Sequence, residues 1–383
     1  METEGICRFD ERDNVQGRLE LKPDTEAWAE YYENHPQLLD RDIKNQGLHD
    51  NPVGHPADNL AGAALMSLLR HLGSEELVDG PVAPEKTEMA PERATEKIKS
   101  WAAYLGIDLV RIGPLDPMYV YSNKGRTYGR RGPHEKEVGS PIELTHKNAI
   151  VLVNAIDTQL LQGAPKKQVM YAIHKAYLQT NVVAIVLAGY IRNLGYPARA
   201  QIMRNYQVII PPIAIDAGVG ELGRNGIVIS KEFGEAIKMA VVTSDLPLVH
   251  DPKARMGIDA VCGACRICAE KCPAGAINHG EKRLIRGVER YRFTPELCFN
   301  TWKTTGTDCG VCMVCCPLTR DPELRKRIAE RPLTPGEDLP EDIKAIIERM
   351  RGEPHDPGAH PPYAWIEEQP DVWKNYRYGK SGS

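Results

Sequence analysis

The sequence has no long uninterrupted hydrophobic run and little excess of charge of either sign. Its longest apolar stretch, Val182 to Ile191, is about half of the roughly 20 residues that a membrane-spanning helix requires. Lysine and arginine total 48 against 52 aspartate and glutamate, which gives a net charge of −4. We therefore expect no integral membrane segment and no nucleic acid as main partner, because polyanion binding normally depends on a basic surface.

Export signals and cysteines are also scarce over most of the chain. The first 22 residues lack the apolar core and the small-residue cleavage site of a secretory signal, which predicts a cytoplasmic protein. Nine of the ten cysteines lie between Cys262 and Cys316. Disulfide frameworks usually spread through short secreted chains, so this dense group of thiols indicates a metal site instead.

Hydrophobic patterning divides the 383 residues into four predicted segments: an N-terminal wrapping segment (1–90), an α/β core (91–250), a cysteine-rich module (251–325) and a C-terminal strap (326–383). We predict strands at 107–112, 149–156, 199–203, 227–229 and 237–242, and helices at 59–72, 94–105, 168–194 and 213–217. The glycine-rich segment AGVGELGRNG (217–226) is predicted to be a loop that passes close to a ligand.

The cysteines form two sets with related spacing. The first set reads C-x2-C-x2-C-x3-C-P, and the second closes with the same C-x2-C-x3-C-P pattern after a longer first gap. In bacterial ferredoxins, each [4Fe–4S] cluster takes three thiolates from one set and the last thiolate from the other. The first predicted cluster is held by Cys262, Cys265, Cys268 and Cys316, and the second by Cys298, Cys309, Cys312 and Cys272.

Two alternatives remain open for these cysteines. Cys315 is adjacent to Cys316, although the proline that follows Cys316 favours Cys316 as the ligand. A pair of zinc sites with all-cysteine ligands also uses paired C-x2-C arrangements, but the compact first set is more specific for cubane clusters. The sequence contains neither a dinucleotide-binding G-x-G-x-x-G motif after a strand nor a P-loop, so these motifs do not identify the electron acceptor.

Several motifs resemble those of corrinoid-dependent reductive dehalogenases. They are FDERDN (9–14), IRNLGY (191–196), PPIAIDAGVGELGRNG (211–226), TSDLPL (243–248) and the two cysteine sets. A shorter stretch, from the glycine-rich segment through both cysteine sets, also resembles epoxyqueuosine reductase. The resemblance implies a nitroreductase-like α/β core that binds base-off cobalamin, followed by a bacterial-ferredoxin-like module with two [4Fe–4S] clusters, one of them near the cobalt.

The same resemblance implies which residues form the site. Tyr177 would be the proton donor, Lys238 its neighbouring cation and Asn205 its polar partner. The predicted corrinoid contacts are Tyr206, Gly218, Gly220, Gly223, Arg224, Asn225 and Gly226. Structural alternatives also exist: Tyr177 in the core, Asn205 shaping a turn, and Lys238 pointing outward from an edge strand.

The function that the resemblance implies is reductive cleavage of a carbon–halogen or similar bond in a small-molecule substrate. Electrons would come from a soluble donor such as ferredoxin or flavodoxin and pass through the clusters to generate Co(I). A second hypothesis is C–O bond reduction of the epoxyqueuosine reductase type. A third, from another class, is an electron-transfer or corrinoid-reactivating protein that turns over no small substrate.

Overall fold

The protein is described by a computed structural model that covers residues 7–46, 56–126, 137–334, 336–355 and 363. The α-helices in these residues are α1 (Val15–Glu20), α2 (Glu26–Asn34), α3 (Pro36–Gln46), α4 (Pro56–Leu72), α5 (Glu75–Val78), α6 (Pro91–Tyr104), α7 (Thr158–Leu161), α8 (Gln168–Asn193), α9 (Ile210–Asp216), α10 (Ile258–Cys265), α11 (Ile267–Glu270), α12 (Pro295–Thr305), α13 (Val311–Val314), α14 (Pro317–Arg320), α15 (Pro322–Glu330) and α16 (Glu341–Gly352). The strands are β1 (Leu109–Pro114), β2 (Asn148–Ala155), β3 (Ala198–Gln201), β4 (Gly220–Leu222), β5 (Val228–Ser230), β6 (Ile237–Ser244), β7 (Arg283–Ile285) and β8 (Val288–Arg290).

One antiparallel sheet in the order β1-β2-β6-β3 forms the centre of the core. Successive side chains of a strand point to opposite faces. Ile150 and Leu152 of β2 accordingly pack in the hydrophobic cluster that contains α6 and α8, whereas Val151 and Val153 pack in the cluster that contains α9. Because both faces of the sheet are covered, β2 is apolar at nearly every position. The predicted mixed α/β class is confirmed.

Helix α8 is the longest element of the core and ends where the sequence predicts. After the C-cap Leu194, Gly195 adopts a φ of +84°, and a Cβ there would lie 2.4 Å from the carbonyl oxygen of Glu85. A side chain at this position would be strained and would also clash with backbone. This glycine therefore fixes both the end of the helix and the path of the 83–87 segment beside it.

The glycine-rich segment contains a strand that the sequence analysis missed. Gly220 begins β4, which pairs with β5, and a Cβ on Gly220 would lie 1.9 Å from the carbonyl oxygen of Ile229. Glycine has a low intrinsic strand preference, so pattern reasoning predicts a loop here. A side chain at position 220 would clash with the β5 backbone, so the close pairing of β4 with β5 requires glycine there.

The C-terminal part of the described chain packs against the first cysteine set. Leu324 and Ile328 of α15 and Ile343 and Ile347 of α16 belong to the same apolar cluster as Cys265 and Cys316. The predicted boundary after residue 325 lies inside α15, and the division into a cysteine-rich module and a C-terminal strap stays a prediction. The tail from 356 lies outside the described residues, except for Tyr363.

None of the helices in the described ranges is both long enough and apolar enough to cross a bilayer.

Candidate metal and active site

Four cysteines from two distant parts of the chain line one cavity. Cys262 and Cys265 lie on α10, Cys268 lies on α11, and Cys316 directly precedes α14. All four contribute to the lining, together with Arg224, Glu235 and Arg266. The cavity therefore combines three thiols of the first set with the last thiol of the second set. Across the described ranges, no three His, Cys, Asp or Glu side chains are gathered so as to hold a single metal ion.

The buried thiols of this cavity are difficult to ionise in the absence of a cationic ligand. Burial raises the pKa of Cys262 to about 12 and that of Cys265 to about 11. Thiolate is the form that binds metal, so metal binding here must displace protons. A cavity lined by four such thiols fits a cysteine-ligated iron–sulfur cluster chemically, because iron compensates the charge that burial disfavours.

Three cysteines of the second predicted cluster, Cys298, Cys309 and Cys272, lie near one another. Burial raises the pKa of Cys298 to about 12, and the nearby thiols of Cys309 and Cys272 raise it further. Burial raises the pKa of Cys312 as well, and Glu235, Cys309, Cys315 and Cys268 are near enough to raise it further. Cys272, from the first set, is thus grouped with cysteines of the second set. Cys316 of the second set lines the cavity of the first set. The full exchange of last cysteines between the two sets, which two ferredoxin-type clusters require, stays a prediction.

Cys315 differs from Cys316 in its surroundings. The Cys315 thiol is buried and donates a weak hydrogen bond to the carbonyl oxygen of Cys312 at 3.5 Å. Cys316, and not Cys315, contributes to the lining of the four-cysteine cavity. The fold supplies each of the two adjacent thiols with a distinct environment.

Two buried polar residues beside this cavity come from the glycine-rich segment and the turn after it. The side-chain amide of Asn225 donates to a Glu235 carboxylate oxygen at 2.8 Å, and burial raises the pKa of Glu235 to about 7 despite this bond. The sequence analysis missed Glu235, since a glutamate beside Phe233-Gly234 in a turn is usually solvent-exposed. No spacing or motif signals its burial.

Arg224 is bonded to the cysteine-rich module. We expected a corrinoid contact, but its guanidinium hydrogen-bonds to carbonyl oxygens of Cys262, Gly263, Asn278 and Gly280, in the chain segment that carries the first cysteine set. The residue is 1% exposed and lines the four-cysteine cavity. Its hydrogen bonds therefore join the glycine-rich segment to helix α10 and to the 278–280 segment.

The glycines of the same segment are explained in part by contacts within the protein. A Cβ on Gly218, whose φ is +82°, would lie 2.1 Å from the carbonyl oxygen of Pro252, and Gly223 is crowded by Ile229 and Asn225. A Cβ on Gly226, whose φ is +79°, would have no atom within 4 Å. Among the predicted contacts in this segment, Gly226 is thus the glycine with open space on its Cα, whereas Gly218 and Gly220 lie against backbone and Gly223 against side chains.

Tyr177 and Lys238 are brought together by α8 and the sheet. The Nζ atom of Lys238 lies over the Tyr177 ring, 5.3 Å from its centroid, and both side chains are half-buried. Lys238 lies on β6, which stands between β2 and β3 in the strand order. Because β3 pairs only with residues 241–244 of β6, Lys238 is paired on one side alone, with Asn154 of β2, and the edge-strand alternative stays open. The pair places a phenol hydroxyl and an ammonium group in one neighbourhood, as a proton donor beside a cation requires.

The Tyr177 side of α8 also faces the second cysteine group. Tyr177 packs against an apolar cluster that includes Cys309 and Cys312. One helical turn earlier, the Nε2 atom of His174 lies 3.8 Å from a carboxylate oxygen of Asp308, the residue before Cys309. Burial lowers the pKa of His174, and Lys238 lowers it further, while Asp308 opposes the shift. Helix α8 therefore connects the Tyr177–Lys238 pair directly to the Cys309 loop.

Asn205 is engaged in a different network. Its amide oxygen accepts from Arg199 at 2.9 Å, and its amide nitrogen donates to the Gly73 carbonyl and to Glu75, each at 3.0 Å. The side chain is fully buried. These bonds fix the turn before Tyr206 against the N-terminal helices, so the turn-shaping alternative has a clear structural basis, and the role of polar partner to Tyr177 stays a prediction.

Tyr206 lies in a buried polar cluster that includes the FDERDN segment. The Arg126 guanidinium carbon is 5.0 Å from the centroid of the Tyr206 ring, and Arg126 lies 3.7 Å from a carboxylate oxygen of Glu11. Burial raises the pKa of Tyr206 to about 12, and Tyr177 is among its charged neighbours. Tyr206 thus lies between the N-terminal segment and the Tyr177 side of the core.

Comparison with known proteins agrees with this architecture. No protein-family model matches the chain. The chain is 28% identical over 265 residues to tetrachloroethene reductive dehalogenase of Desulfitobacterium hafniense, covering 59% of this chain and 48% of the relative. It is 29% identical to the enzyme of the same description from Sulfurospirillum multivorans, covering 62% and 52%. The chain spans about half the length of the curated relatives it matches.

Solved structures give the same likeness. A catabolic reductive dehalogenase superposes with a TM-score of 0.64 at 27% identity, covering 75% of this chain and 41% of the other. A reductive dehalogenase described in connection with B12-dependent dehalogenation gives 0.63 at 28% identity, covering 78% and 42%. A local likeness to epoxyqueuosine reductase of Atelocyanobacterium thalassa, 35% identical, covers 27% of this chain and 35% of the relative. The predicted resemblance to reductive dehalogenases, with a weaker one to epoxyqueuosine reductases, is confirmed.

Proposed function

We propose that this chain is a cobalamin-dependent iron–sulfur reductase of the reductive dehalogenase type. It would hold two [4Fe–4S] clusters in a ferredoxin-like module beside a nitroreductase-like core. The observation that carries the proposal is the cavity that Cys316 of the second set lines together with Cys262, Cys265 and Cys268 of the first set. A helix that places Tyr177 beside Lys238 supports it further. Likeness to reductive dehalogenases over about three fifths of the chain supports the same function.

The redox chemistry would come from the corrinoid and the clusters. When bound, these groups would deliver two electrons, one at a time, to the substrate carbon. Carbon–halogen cleavage with two electrons and one proton gives a C–H bond and a halide ion. The chain itself must therefore bind the substrate, exclude water, supply one proton and accommodate the departing anion.

Tyr177 and Lys238 would meet these last two requirements. The Tyr177 hydroxyl would donate the proton, and the Lys238 ammonium would stabilise the phenolate left behind or the departing anion. Their half-buried position strengthens this charge interaction relative to bulk water. Cys309 and Cys312 share an apolar cluster with Tyr177, which makes the iron–sulfur cluster of that group our candidate for the one nearer the substrate.

The electron donor would be a small acidic carrier such as ferredoxin or flavodoxin. The stretch between Cys272 and Cys298 forms the β7–β8 hairpin, and it exposes Arg283 and Arg292. At the base of this hairpin the backbone N–H of Asn278 donates to the Arg292 carbonyl at 3.1 Å. The backbone N–H of Ala276 donates to the Cys272 sulfur at 3.4 Å. Positive charge there would steer an acidic donor to the second cysteine group, so cluster reduction by such a donor should slow as salt rises.

One anaerobic measurement tests the core of the proposal. Protein purified without oxygen, or reconstituted with iron, sulfide and cobalamin, should contain about eight iron atoms and about one cobalt per chain. It should then release halide from an organohalide when supplied with a low-potential reductant. Zinc in place of iron, or iron without halide release from a broad substrate panel, would contradict the proposal.

The local likeness to epoxyqueuosine reductase supports C–O reduction as a second candidate. The same loaded protein, assayed with an epoxyqueuosine-containing tRNA stem-loop, separates the two. Cofactor-loaded protein that acts on neither substrate class, yet passes electrons to a second corrinoid protein, would favour the electron-transfer alternative.

A further inference from the structure

Arg224 is a fully buried cation whose side-chain hydrogen bonds go to helix α10, which carries Cys262 and Cys265, and to the 278–280 segment that follows the first cysteine set. Its Nε atom donates to the Cys262 carbonyl at 3.0 Å, and its Nη1 atom donates to the carbonyls of Asn278 and Gly280 at 3.0 and 2.8 Å. The guanidinium carbon also lies 3.9 Å from the centroid of the Tyr291 ring. The donors are satisfied by neutral oxygens, and the flat face of the group rests on an aromatic ring.

The N–H donors of Arg224 are bonded to carbonyl oxygens, but no opposite charge is paired with its guanidinium among the described residues. In the part of the chain that the structure describes, no carboxylate forms an ion pair with the guanidinium of Arg224. Glu235, the acid that lines the same cavity, is hydrogen-bonded to Asn225 and to the Cys316 thiol. Carbonyl dipoles satisfy hydrogen bonds, but an ion buried without a counter-charge remains costly. An anion bound beside Arg224 would supply the missing counter-charge.

The four-cysteine cavity provides the place for this anion. Arg224 lines it together with Cys262, Cys265, Cys268 and Cys316. A cubane cluster held by four thiolates is anionic, and each reduction adds one further negative charge. A cation buried beside it therefore stabilises the reduced form more than the oxidised form, and the low dielectric of the interior strengthens the effect.

We propose that Arg224 is the buried counter-cation of the [4Fe–4S] cluster held by the Cys262 tetrad and that it raises the reduction potential of that cluster selectively. This inference rests on the proposed function, because it takes these cysteines as cluster ligands. Arg224 acts as a positioning and tuning residue: it touches the loop that presents the ligands, and no bond to the substrate is involved. One electron enters the cluster on reduction, and no covalent bond forms or breaks.

Arg266 offers a matched control in the same cavity. It also contributes to the lining and also donates to the Gly263 carbonyl, at 3.2 Å. Its side chain is 41% exposed, however, and its charge is paired with Glu281 at 3.1 Å. Solvent screening and this ion pair remove most of its field at the cluster.

The test is a redox titration of the full chain, loaded with both clusters, followed by electron paramagnetic resonance. Arg224→Gln and Arg224→Met should lower the midpoint potential of one cluster and leave the other unchanged. Arg224→Lys should stay closer to wild type, since it keeps the charge but loses the planar fork. Arg266→Gln should leave both potentials unchanged. Iron content is measured for every variant, so that loss of a cluster is not mistaken for a shift.

Each outcome decides between a role of the charge and a role of the hydrogen bonds. Neutral variants with full iron and wild-type potentials would overturn the proposal. If both neutral variants lose the first cluster while Arg224→Lys retains it, the requirement for charge is supported. If Arg224→Lys loses it as well, the fork that holds the loop is what matters and the counter-cation role is rejected. A wild-type protein that binds no iron–sulfur cluster would instead overturn the cluster assignment, and this inference with it.

Discussion

The ammonium nitrogen of Lys238 lies 5.3 Å from the centroid of the Tyr177 ring, across the interface between β6 and α8. A cation over an aromatic face contributes about 0.5–1 kcal/mol at an exposed site and more when desolvated. The contact orients both side chains: the phenol is held at the side of the helix that faces the Cys309 loop, and the lysine is kept away from bulk solvent. The proposed function depends on the Tyr177 hydroxyl and on the Lys238 charge. Tyr177→Phe removes the hydroxyl alone, and Lys238→Met removes the charge alone.

Replacing Tyr177 by Phe should lower turnover by about 100-fold or more, within the usual range for loss of a general acid. The ring and its contact with Lys238 would remain, so the fold, iron content and corrinoid content should be unchanged. The measurement is halide release by the loaded protein with excess reductant. Tyr190, also half-buried and on α8, provides the control: Tyr190→Phe should keep wild-type turnover. Wild-type turnover in Tyr177→Phe would show that Tyr177 is a core residue.

Replacing Lys238 by Met should reduce turnover less than Tyr177→Phe does, because the proton donor stays and only the charge beside it is lost. Lys238→Arg should retain much of the activity if charge alone is needed, and should change substrate preference if the planar fork selects among leaving groups. Steady-state rates on substrates with different halides measure both effects. Lys175→Met, at an exposed position of α8, controls for loss of a lysine in general. Equal rates for Lys238→Met and wild type would remove the lysine from the mechanism.

Replacing Cys265 or Cys312 by Ser should each remove about half of the iron, since the two residues belong to different groups of four. The signal lost on Cys265→Ser should also be the one that shifts in the Arg224 variants. Iron and sulfide analysis together with electron paramagnetic resonance of the reduced protein distinguishes the two clusters. Complete loss of iron in both variants would mean that the two sites assemble only together.

Replacing Cys315 by Ser should leave the iron content unchanged, whereas Cys316→Ser should lose the first cluster. The reason is that the Cys316 side chain lines the four-cysteine cavity, while the Cys315 thiol bonds to the carbonyl of Cys312. Serine at 315 preserves a hydrogen-bond donor for that carbonyl, so folding should be little affected. Iron loss in Cys315→Ser alone would reverse the assignment of the two adjacent thiols.

Replacing Glu11 by Gln should stabilise the protein relative to wild type as pH rises. Burial raises the pKa of Glu11 from 4.5 to about 6, against the opposing charge of Arg126. The folded protein therefore holds this proton more tightly than the unfolded chain, and its stability falls as pH rises from about 4.5 through about 6. Above that range the penalty is about 2 kcal/mol, and glutamine does not incur it.

The quantity to measure is the difference in thermal midpoint between Glu11→Gln and wild type, at pH 5 and at pH 8. The difference should move in favour of the variant at the higher pH, whatever its value at pH 5. Glu33→Gln, at an exposed position of α2, should show no such trend. A constant difference across this range would show that Glu11 titrates normally.

The sequence by itself is enough to predict the chemistry of the cysteine-rich module. The spacing within each set places neighbouring thiols on short turns and helices, and this spacing is local enough to be read without a structure. The sheet could be predicted for a similar reason: β2 and β6 are continuous apolar runs, and α8 is a long apolar helix ended by Gly195.

Only the tertiary structure decided where the individual polar side chains point. Arg224 sits in a glycine-rich segment that suggests a ligand, yet its bonds go to the Cys262 loop; Asn205 follows a strand, yet its amide binds Arg199 and Glu75. Lys238 lies in an apolar run whose place inside the sheet depends on the strand order, which one strand's sequence does not encode. Local periodicity assigns residues to helices and strands, but the partner of a buried charge is set by contacts between segments far apart in the chain.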